Sequence, residues 1–489
     1  MKKIIVLGGG AAGWITALFL KKIYNDYNIS LIESKKIGIL GAGEGSTPHL
    51  VHFLRFLEVD IKDLVNKTQA TIKNGINFEN WNGDNKKYFH GFMCKNQFNN
   101  FKVKRLFDSD CYNQFINNCI SENLNLDEYT YSGLLTKNKK IDIDNQEISI
   151  HFDAHKIADY LKNLSIARGV NYFEGDACGF EQNQTGNINK VILEDKSKHE
   201  CDFIFDCSGF RRLIIGKLFK TKWIDYQKHL PMKKAVPFFL DQEKEIEPCT
   251  HAIAMKYGWI WKIPLQHRFG SGYIFDSDYI NPEEALDEAE KKFNQKLSSP
   301  KIISFDAGRF EKVWVKNCIA VGLAAGFTEP IEATSLYITV SQLELLVHFK
   351  EYLFEANEYK KNNYNQIMGN SNDDILDFLY LHYLTKRKDS DFWKNFKNNT
   401  IMPTGLLDKL ENITNNNFLE TNFTTKKIHA SFNLISSFLV AYGLGLLNSD
   451  KVKKINDLEP DIRLYQNFML SSVNQKVSHT NFLQTLKTI

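Results

Sequence analysis

The sequence predicts an α/β fold, and three stretches carry that expectation. Near the N-terminus the apolar run Lys3-Ile4-Ile5-Val6-Leu7 gives way to Gly8-Gly9-Gly10-Ala11-Ala12-Gly13 and then to a helical pattern through Leu20. Two later stretches, Asp202-Phe203-Ile204-Phe205-Asp206-Cys207-Ser208-Gly209 and Asn317-Cys318-Ile319-Ala320-Val321-Gly322-Leu323-Ala324-Ala325-Gly326-Phe327, each run from an apolar strand into small residues. Continuous apolar strands belong in a sheet buried on both faces, and small residues at their ends let backbone approach a ligand.

In the first stretch the glycines at Gly8, Gly10 and Gly13 suit a tight turn, close approach to a pyrophosphate and close packing of helix on strand. The helix N-terminus at Ala11 and Ala12 would face the phosphate charge. A second strand, Ile29-Ser30-Leu31-Ile32, ends at Glu33, whose carboxylate can accept both hydroxyls of an adenosine ribose. Glu33 alone does not separate FAD from NAD.

Gly41-Ala42-Gly43-Glu44-Gly45-Ser46-Thr47-Pro48 is a glycine-rich loop expected to open a helix over 49–57. From Ala70 to Trp81, apolar Ile76 and Phe78 mark a strand, with Lys73 at its approach. A single lysine among 61 Lys+Arg is ordinarily a solvated surface charge. Gly258-Trp259-Ile260-Trp261-Lys262-Ile263-Pro264 places two of the seven tryptophans two positions apart. A strand would set Trp259, Trp261 and Ile263 on one face and Ile260 and Lys262 on the other, and Pro264 would stop it. On its own this is an ordinary half-buried strand.

Asn281-Pro282-Glu283-Glu284 has the residues of an N-cap, N1 and capping box for a helix through Leu297. Asn362–Asn372 looks like a polar, turn-rich connection. Leu434–Leu447 reads as a buried helix, too short and too interrupted by serine and glycine to span a bilayer.

Composition describes a soluble globular chain: 489 residues, 43% hydrophobic and 24% charged, with formal net charge +3. Basic residues are scattered among acids, so no nucleic-acid footprint is expected, and no membrane association. The eight cysteines show neither C-x-x-C nor a paired metal-ligand spacing, which suits reduced thiols, a cytoplasmic location and no metal. Met1-Lys2-Lys3 before an apolar run resembles a signal peptide superficially, but that run carries the glycines of the nucleotide turn.

The two later returns of the chain to one nucleotide site resemble the FAD domain of the flavoprotein monooxygenase class, which favours flavin. The class commonly has Asp where this chain has Leu323. Gly8-x-Gly10-x-x-Gly13-Trp14, Gly43-Glu44-x-x-x-Pro48, Lys73 before Phe78-x-x-Trp81, Asp206-Cys207-Ser208-Gly209-Phe210, Gly258-Trp259-x-Trp261-x-Ile263-Pro264 and Gly326-Phe327-x-Glu329-Pro330-x-Glu332-x-Thr334 follow the order found in flavin-dependent tryptophan halogenases. Leu381-His382-Tyr383 with Arg387, Asp389-Ser390 and Phe392-Trp393 resembles their C-terminal region. The tryptophan pair ending in Ile-Pro is the specific part, because in this family it separates halogenases from related monooxygenases.

The resemblance implies a Rossmann-like FAD-binding domain interleaved with a substrate-facing sheet over 1–350 and a mainly helical region over 351–489. It implies that reduced FAD and oxygen convert chloride, bromide or iodide to hypohalous acid, which travels to a separate aromatic site. Cofactor contacts carried over are Gly8, Gly10, Ala11, Ala12, Gly13, Trp14, Glu33, Gly43, Glu44, Gly45, Ala177, Leu323 and Leu336. Lys73 would bind hypohalous acid or become a haloamine, and Glu332 would assist the electrophile or accept the proton lost from the ring. Thr334 and Ser335 would present helix N-terminal amides to the halide, although the same residues suit a helix cap. His90 and Phe92 would stack on the substrate, and Trp259 and Trp261 would bar it from the flavin.

Two departures bear on specificity. The family's halide loop Glu-Ser-Thr-Gly is Glu332-Ala333-Thr334-Ser335 here, and Ser335 changes the space around the ion. Nothing from 394 to 489 is a tryptophan, and the tyrosines there are only Tyr442 and Tyr465, so the indole clamps of tryptophan-specific members are missing. The expected substrate is therefore a small electron-rich aromatic, indole- or phenol-like, with free tryptophan not assured. A separate NAD(P)H-dependent flavin reductase would supply reduced FAD, and homo-oligomerisation is left open. Two other readings stand at this point: an aromatic monooxygenase that inserts oxygen, and a flavoprotein that binds a ligand without turnover.

Overall fold

The structure is a computed structural model that describes residues 1–36, 43–91, 148–299, 301–355, 357–415, 432, 434–447 and 479–488. The chain forms two compact units that alternate along the sequence. One comprises Met1–Ala70, Phe152–Gln227 and Ser304–Asn372; the other comprises Thr71–His151, Lys228–Ile303 and Asp373–Ile489.

The first unit is built on a mixed, mostly parallel sheet whose strands run Trp314–Val315, Cys318–Ala320, Phe203–Asp206, Lys3–Leu7, Asn28–Glu33 and Asn171–Glu174 in spatial order. Lys3–Leu7 lies at its centre, with Ile4 opposite both Phe203 and Ile29 in parallel register. Ile4, Ile5, Val6 and Leu7 are all buried, as expected of a strand covered on both faces. Helix Ala11–Ile23 makes the crossover to the next strand. Ile5, Leu7, Ile32, Val191, Leu193, Ile204 and Cys318 share one apolar core with Ala177, which opens the strand Ala177–Gln182.

Asn362–Asn372 is not a connection. It lies inside helix Glu358–Leu381, because its side chains find tertiary partners that override their turn preference. Asn365 Oδ1 accepts from the amides of Val313 and Trp314 at 2.9 and 2.8 Å, and its Nδ2 donates to Trp314 O at 3.0 Å. The amide side chain thus stands in for a neighbouring strand at the sheet edge. Tyr364, one residue earlier, is buried and donates to Gln342 O at 2.9 Å.

The second unit centres on a seven-stranded sheet running from the short edge strand Ile303–Ser304 through Lys234–Leu240, Phe269–Phe275, Gly258–Pro264, Thr250–Ala254 and Gly75–Glu79 to Lys87–Gly91. The tryptophan strand spans Gly258–Pro264 as its pattern predicts. Asn281 and Glu284 close a capping box on helix Pro282–Phe293, which stops short of Leu297. Beyond Glu358 every described regular element is a helix. Helix Leu434–Gly443 ends at the glycine, where a Cβ would lie 2.2 Å from the Tyr88 ring. Among the described residues no helix is long and apolar enough to cross a membrane.

Candidate functional site

In the first unit three returns of the chain converge. Gly8 has φ 127°, and a Cβ there would sit 2.1 Å from Cys207 O. A Cβ on Gly13 would be 1.9 Å from Gly8 O, so both glycines are required by backbone contact. Gly10 differs: a Cβ there would meet nothing within 4 Å, so it borders open space. Gly10 is also the N-cap of helix Ala11–Ile23 and supplies no side-chain cap, which leaves the first-turn amides at Ala11 and Ala12 for an anion.

The third return arrives at Gly322, with φ 65°, where a Cβ would lie 3.0 Å from Ala12 Cβ. Gly322 N donates to Gln342 Oε1 at 3.2 Å, and Gln342 Nε2 donates to Ala320 O at 2.9 Å. These bonds hold Gly322 in place, and the next residue, Leu323, is half-buried. Asp206 organises the second return: its carboxylate accepts from the amides of Ser208, Ile214 and Ile215 at 3.1, 2.9 and 3.0 Å.

Glu33 ends its strand with its carboxylate over Gly9, where a Cβ would be 2.2 Å from Oε1. Lys162 holds that carboxylate at 3.0 Å while its ammonium lies 3.7 Å from the Tyr172 ring centroid. Trp14 is fully buried against Tyr172, and its amide donates to Gly10 O, a helix-packing position. Gly43 has φ 137°, and Glu44 and Gly45 form a short strand. Burial and the charge of Asp153 push the Glu44 carboxyl up to about 7. Gly41 and Ala42 lie outside the described residues.

The Glu332–Ser335 loop has a geometry that its sequence did not disclose. Pro330–Glu332 is one 3-10 turn, Ala333 follows in the left-handed region at φ 55°, ψ 39°, and helix Thr334–Val347 begins directly after it. A right-handed residue followed by a left-handed one turns successive amides toward one concavity, which is an anion-binding nest. The expected Ser/Thr cap is absent: Ala333 is the N-cap, and the Thr334 hydroxyl lies 3.0 Å from that of Thr328. Glu332 and Thr334 are buried, Ser335 is half-buried, and Leu336 is packed in the first helical turn.

In the second unit Lys73 ends strand Thr71–Lys73 and is 1% exposed. Most of the described lysines keep to the surface; this one ranks among the largest fully buried side chains. Its strand pairs with Ser149–Phe152, setting Lys73 opposite Ser149 and Thr71 opposite His151. Thr71 Oγ1 donates to Pro264 O at 2.7 Å and therefore accepts from His151 Nδ1 at 3.0 Å. His151 Nε2 in turn accepts from Thr250 Oγ1 at 2.9 Å. Burial, and then the nearby charge of Lys73, hold the His151 imidazole well below its ordinary value, so it is neutral.

The tryptophan strand shares a sheet face with this network. Ladder register aligns Thr250 through Ile76 to His90, and aligns Trp261 through Ala252 to Phe78 in the next row. His90 is buried, with its ring 5.7 Å from that of Phe378. Trp259 is fully buried and Trp261 half-buried, their rings edge-to-face at 6.4 Å. Gly272 on the adjacent strand makes room for Trp261; a Cβ there would be 2.1 Å from the ring. Phe92 lies outside the described residues. His151 and Thr250 were not predicted, since a histidine in an apolar strand and a threonine opening another carry no motif.

Residues 3–459 match the family model described as tryptophan halogenase. The chain is similar to the 7-chloro-L-tryptophan 6-halogenase KtzR of Kutzneria sp. (strain 744), 30% identical over 442 residues that cover 83% of this chain and 84% of that protein. It is similar to the tryptophan 6-halogenase SttH of Streptomyces toxytricini, 28% identical over 444 residues, 84% of this chain and 83% of that one. Among solved structures it resembles Xcc4156, a flavin-dependent halogenase from Xanthomonas campestris, with TM-score 0.84 and 27% identity over 99% of this chain and 98% of that one.

Proposed function

The chain belongs to the tryptophan halogenase family and is an enzyme of aromatic halogenation, and from this premise we propose that it uses FAD, a halide and a buried lysine to halogenate a small electron-rich aromatic, indole- or phenol-like. The observation that carries the reading is Lys73, a fully buried lysine on the strand tied to the end of the tryptophan strand. FAD fits the first unit by a specific feature: the open space at Gly10, next to uncapped helix amides and within one turn of the Glu33 carboxylate. When bound in reduced form, FAD would supply with oxygen the oxidising equivalents that turn halide into hypohalous acid.

The residues divide the remaining work. Backbone amides at Ala333, Thr334 and Ser335 hold the halide, with the Ser335 side chain setting the room available to chloride, bromide or iodide. Trp259 and Trp261 fill their sheet face and keep an aromatic ring away, so only the small oxidant passes. Lys73 receives it, as an ammonium that polarises hypohalous acid or as an amine that is itself halogenated. Glu332 accepts the proton released when the ring regains aromaticity. His90 packs against the substrate ring. Reduced FAD comes from a separate NAD(P)H-dependent reductase, which places the enzyme in the cytoplasm. In this reading residues 1–350 bind cofactor and substrate, and 351–489 form a mainly helical region.

The test supplies FAD, a flavin reductase, NADH, oxygen and each halide in turn to a panel of indoles and phenols, with products identified by mass. Halide-dependent addition of one halogen is expected. Hydroxylated, halide-independent products would overturn the reading.

A further inference from the structure

We propose that Glu247, Cys249 and His251 form a binding site for a divalent cation of the zinc class, separate from the halogenation residues. Every second residue here is a ligand type, a spacing that cysteine patterns alone do not reveal. Glu247 and Cys249 lie in the irregular segment and bend entering strand Thr250–Ala254, and His251 is its second residue. Among the described residues their ligand atoms all lie within 4.8 Å of one another.

The separations match a metal polyhedron. His251 Nε2 is 3.2 Å from Glu247 Oε2 and 3.8 Å from Cys249 Sγ, and Sγ is 3.8 Å from Glu247 Oε2. A tetrahedral zinc with bonds of about 2.0 Å to N and O and about 2.3 Å to S has ligand edges of about 3.3 Å for N···O and about 3.5 Å for the edges to sulfur. Small adjustments would close the site on an ion. Glutamate, thiolate and imidazole together suit a borderline-soft cation and do not suit magnesium or calcium, which take oxygen.

The outer shell is also built. His251 Nδ1 lies 2.7 Å from Glu79 Oε1, the carboxylate partner that metal-bound histidines commonly have, and this leaves Nε2 for the ion. Register places His251 and Glu79 on the same sheet face, since His251 is level with Asn77 and Ile253 with Glu79. Lys87 braces Glu79 at 3.3 Å, and Lys262, level with His251, is paired with Glu243. The Glu247 and Glu79 carboxylates place negative charge beside Cys249 and His251, which favours a cation, and ligation by the thiolate would release the thiol proton on binding. Cys249 is fully buried while the Glu247 side chain is half exposed, so the ion enters from the Glu247 side. Three described ligands leave a fourth position open.

The experiment titrates the full-length protein with Co²⁺ and follows absorption. One equivalent is expected to give a thiolate-to-cobalt charge-transfer band and a four-coordinate visible envelope, release one proton, and be bleached by Zn²⁺. Cys249→Ser should abolish the band, and Glu79→Gln should weaken binding by about 10–100-fold. Glu247→Gln alters an exposed side chain and keeps the fold testable; it should weaken binding at least tenfold. Absence of the thiolate band at one equivalent, its survival in Cys249→Ser, or unchanged affinity in Glu247→Gln overturns the site. Halogenase activity is not the readout, so failure here and failure of the halogenase reading are distinguishable.

Discussion

Thr71 donates its hydroxyl to the carbonyl of Pro264 at 2.7 Å, across 193 residues of sequence. That bond ties the strand carrying Lys73 to the last residue of the tryptophan strand, and His151 and Thr250 extend it into a four-residue buried chain. Each donor in the chain has one acceptor, so removing a member leaves a buried polar group unmatched. Thr71→Val is expected to cost about 1–3 kcal/mol in denaturant unfolding and to lower halogenation while FAD affinity stays unchanged. A variant as stable and as active as the parent would show that the chain does not position Lys73.

Lys73→Met keeps the apolar stem and removes the amine. Halogenation should fall by about 10²–10⁴-fold, the range of a positioned chemical group, with FAD binding and halide-independent NADH oxidation preserved. Full activity would end the role assigned to this lysine.

Two glycines of the nucleotide turn should respond oppositely to alanine. Gly13→Ala drives a Cβ to 1.9 Å from Gly8 O and is expected to destabilise the fold. Gly10→Ala has room in the protein, so stability should change by less than about 1 kcal/mol while FAD affinity drops at least about tenfold. Paired thermal melts and FAD titrations separate the two, and unaltered FAD affinity in Gly10→Ala would remove the cofactor from that space.

Ala333 carries the left-handed turn of the proposed halide loop at φ 55°. Glycine adopts that conformation without the Cβ penalty, so Ala333→Gly should stabilise by about 1–2 kcal/mol. The amides are retained, so halide KM should stay within about twofold. A tenfold rise in KM would mean that the halide is not held by backbone.

Two buried histidines set an acid limit. Burial and neighbouring positive charge hold His151 well below 6.5, and burial brings His479 down to about 3. Both refuse protons that the unfolded chain takes up once pH falls below about 6.5. Their contribution is complete above that pH and is lost as pH falls, by up to about 1.4 kcal/mol per pH unit for each. Urea unfolding between pH 6.5 and 5 should show this slope, and His151→Gln should reduce it by one such increment.

What the amino-acid order determined was local. Strand Lys3–Leu7, its glycine turn, the strand ending in Glu33 and the tryptophan strand rest on periodicity and on backbone demands within a few residues, which neighbours in sequence satisfy. Tertiary structure decided the rest. Lys73 looks like a surface charge until pairing with 149–152 buries it, and Asn365 looks like a turn former until Val313 and Trp314 supply its hydrogen bonds. The nest at Ala333 depends on a dihedral that alanine seldom adopts, and the Glu247, Cys249 and His251 cluster is oriented by Glu79 from a distant strand. Burial and partnership are properties of residues far apart in sequence, and only the folded chain brings them to hydrogen-bonding distance.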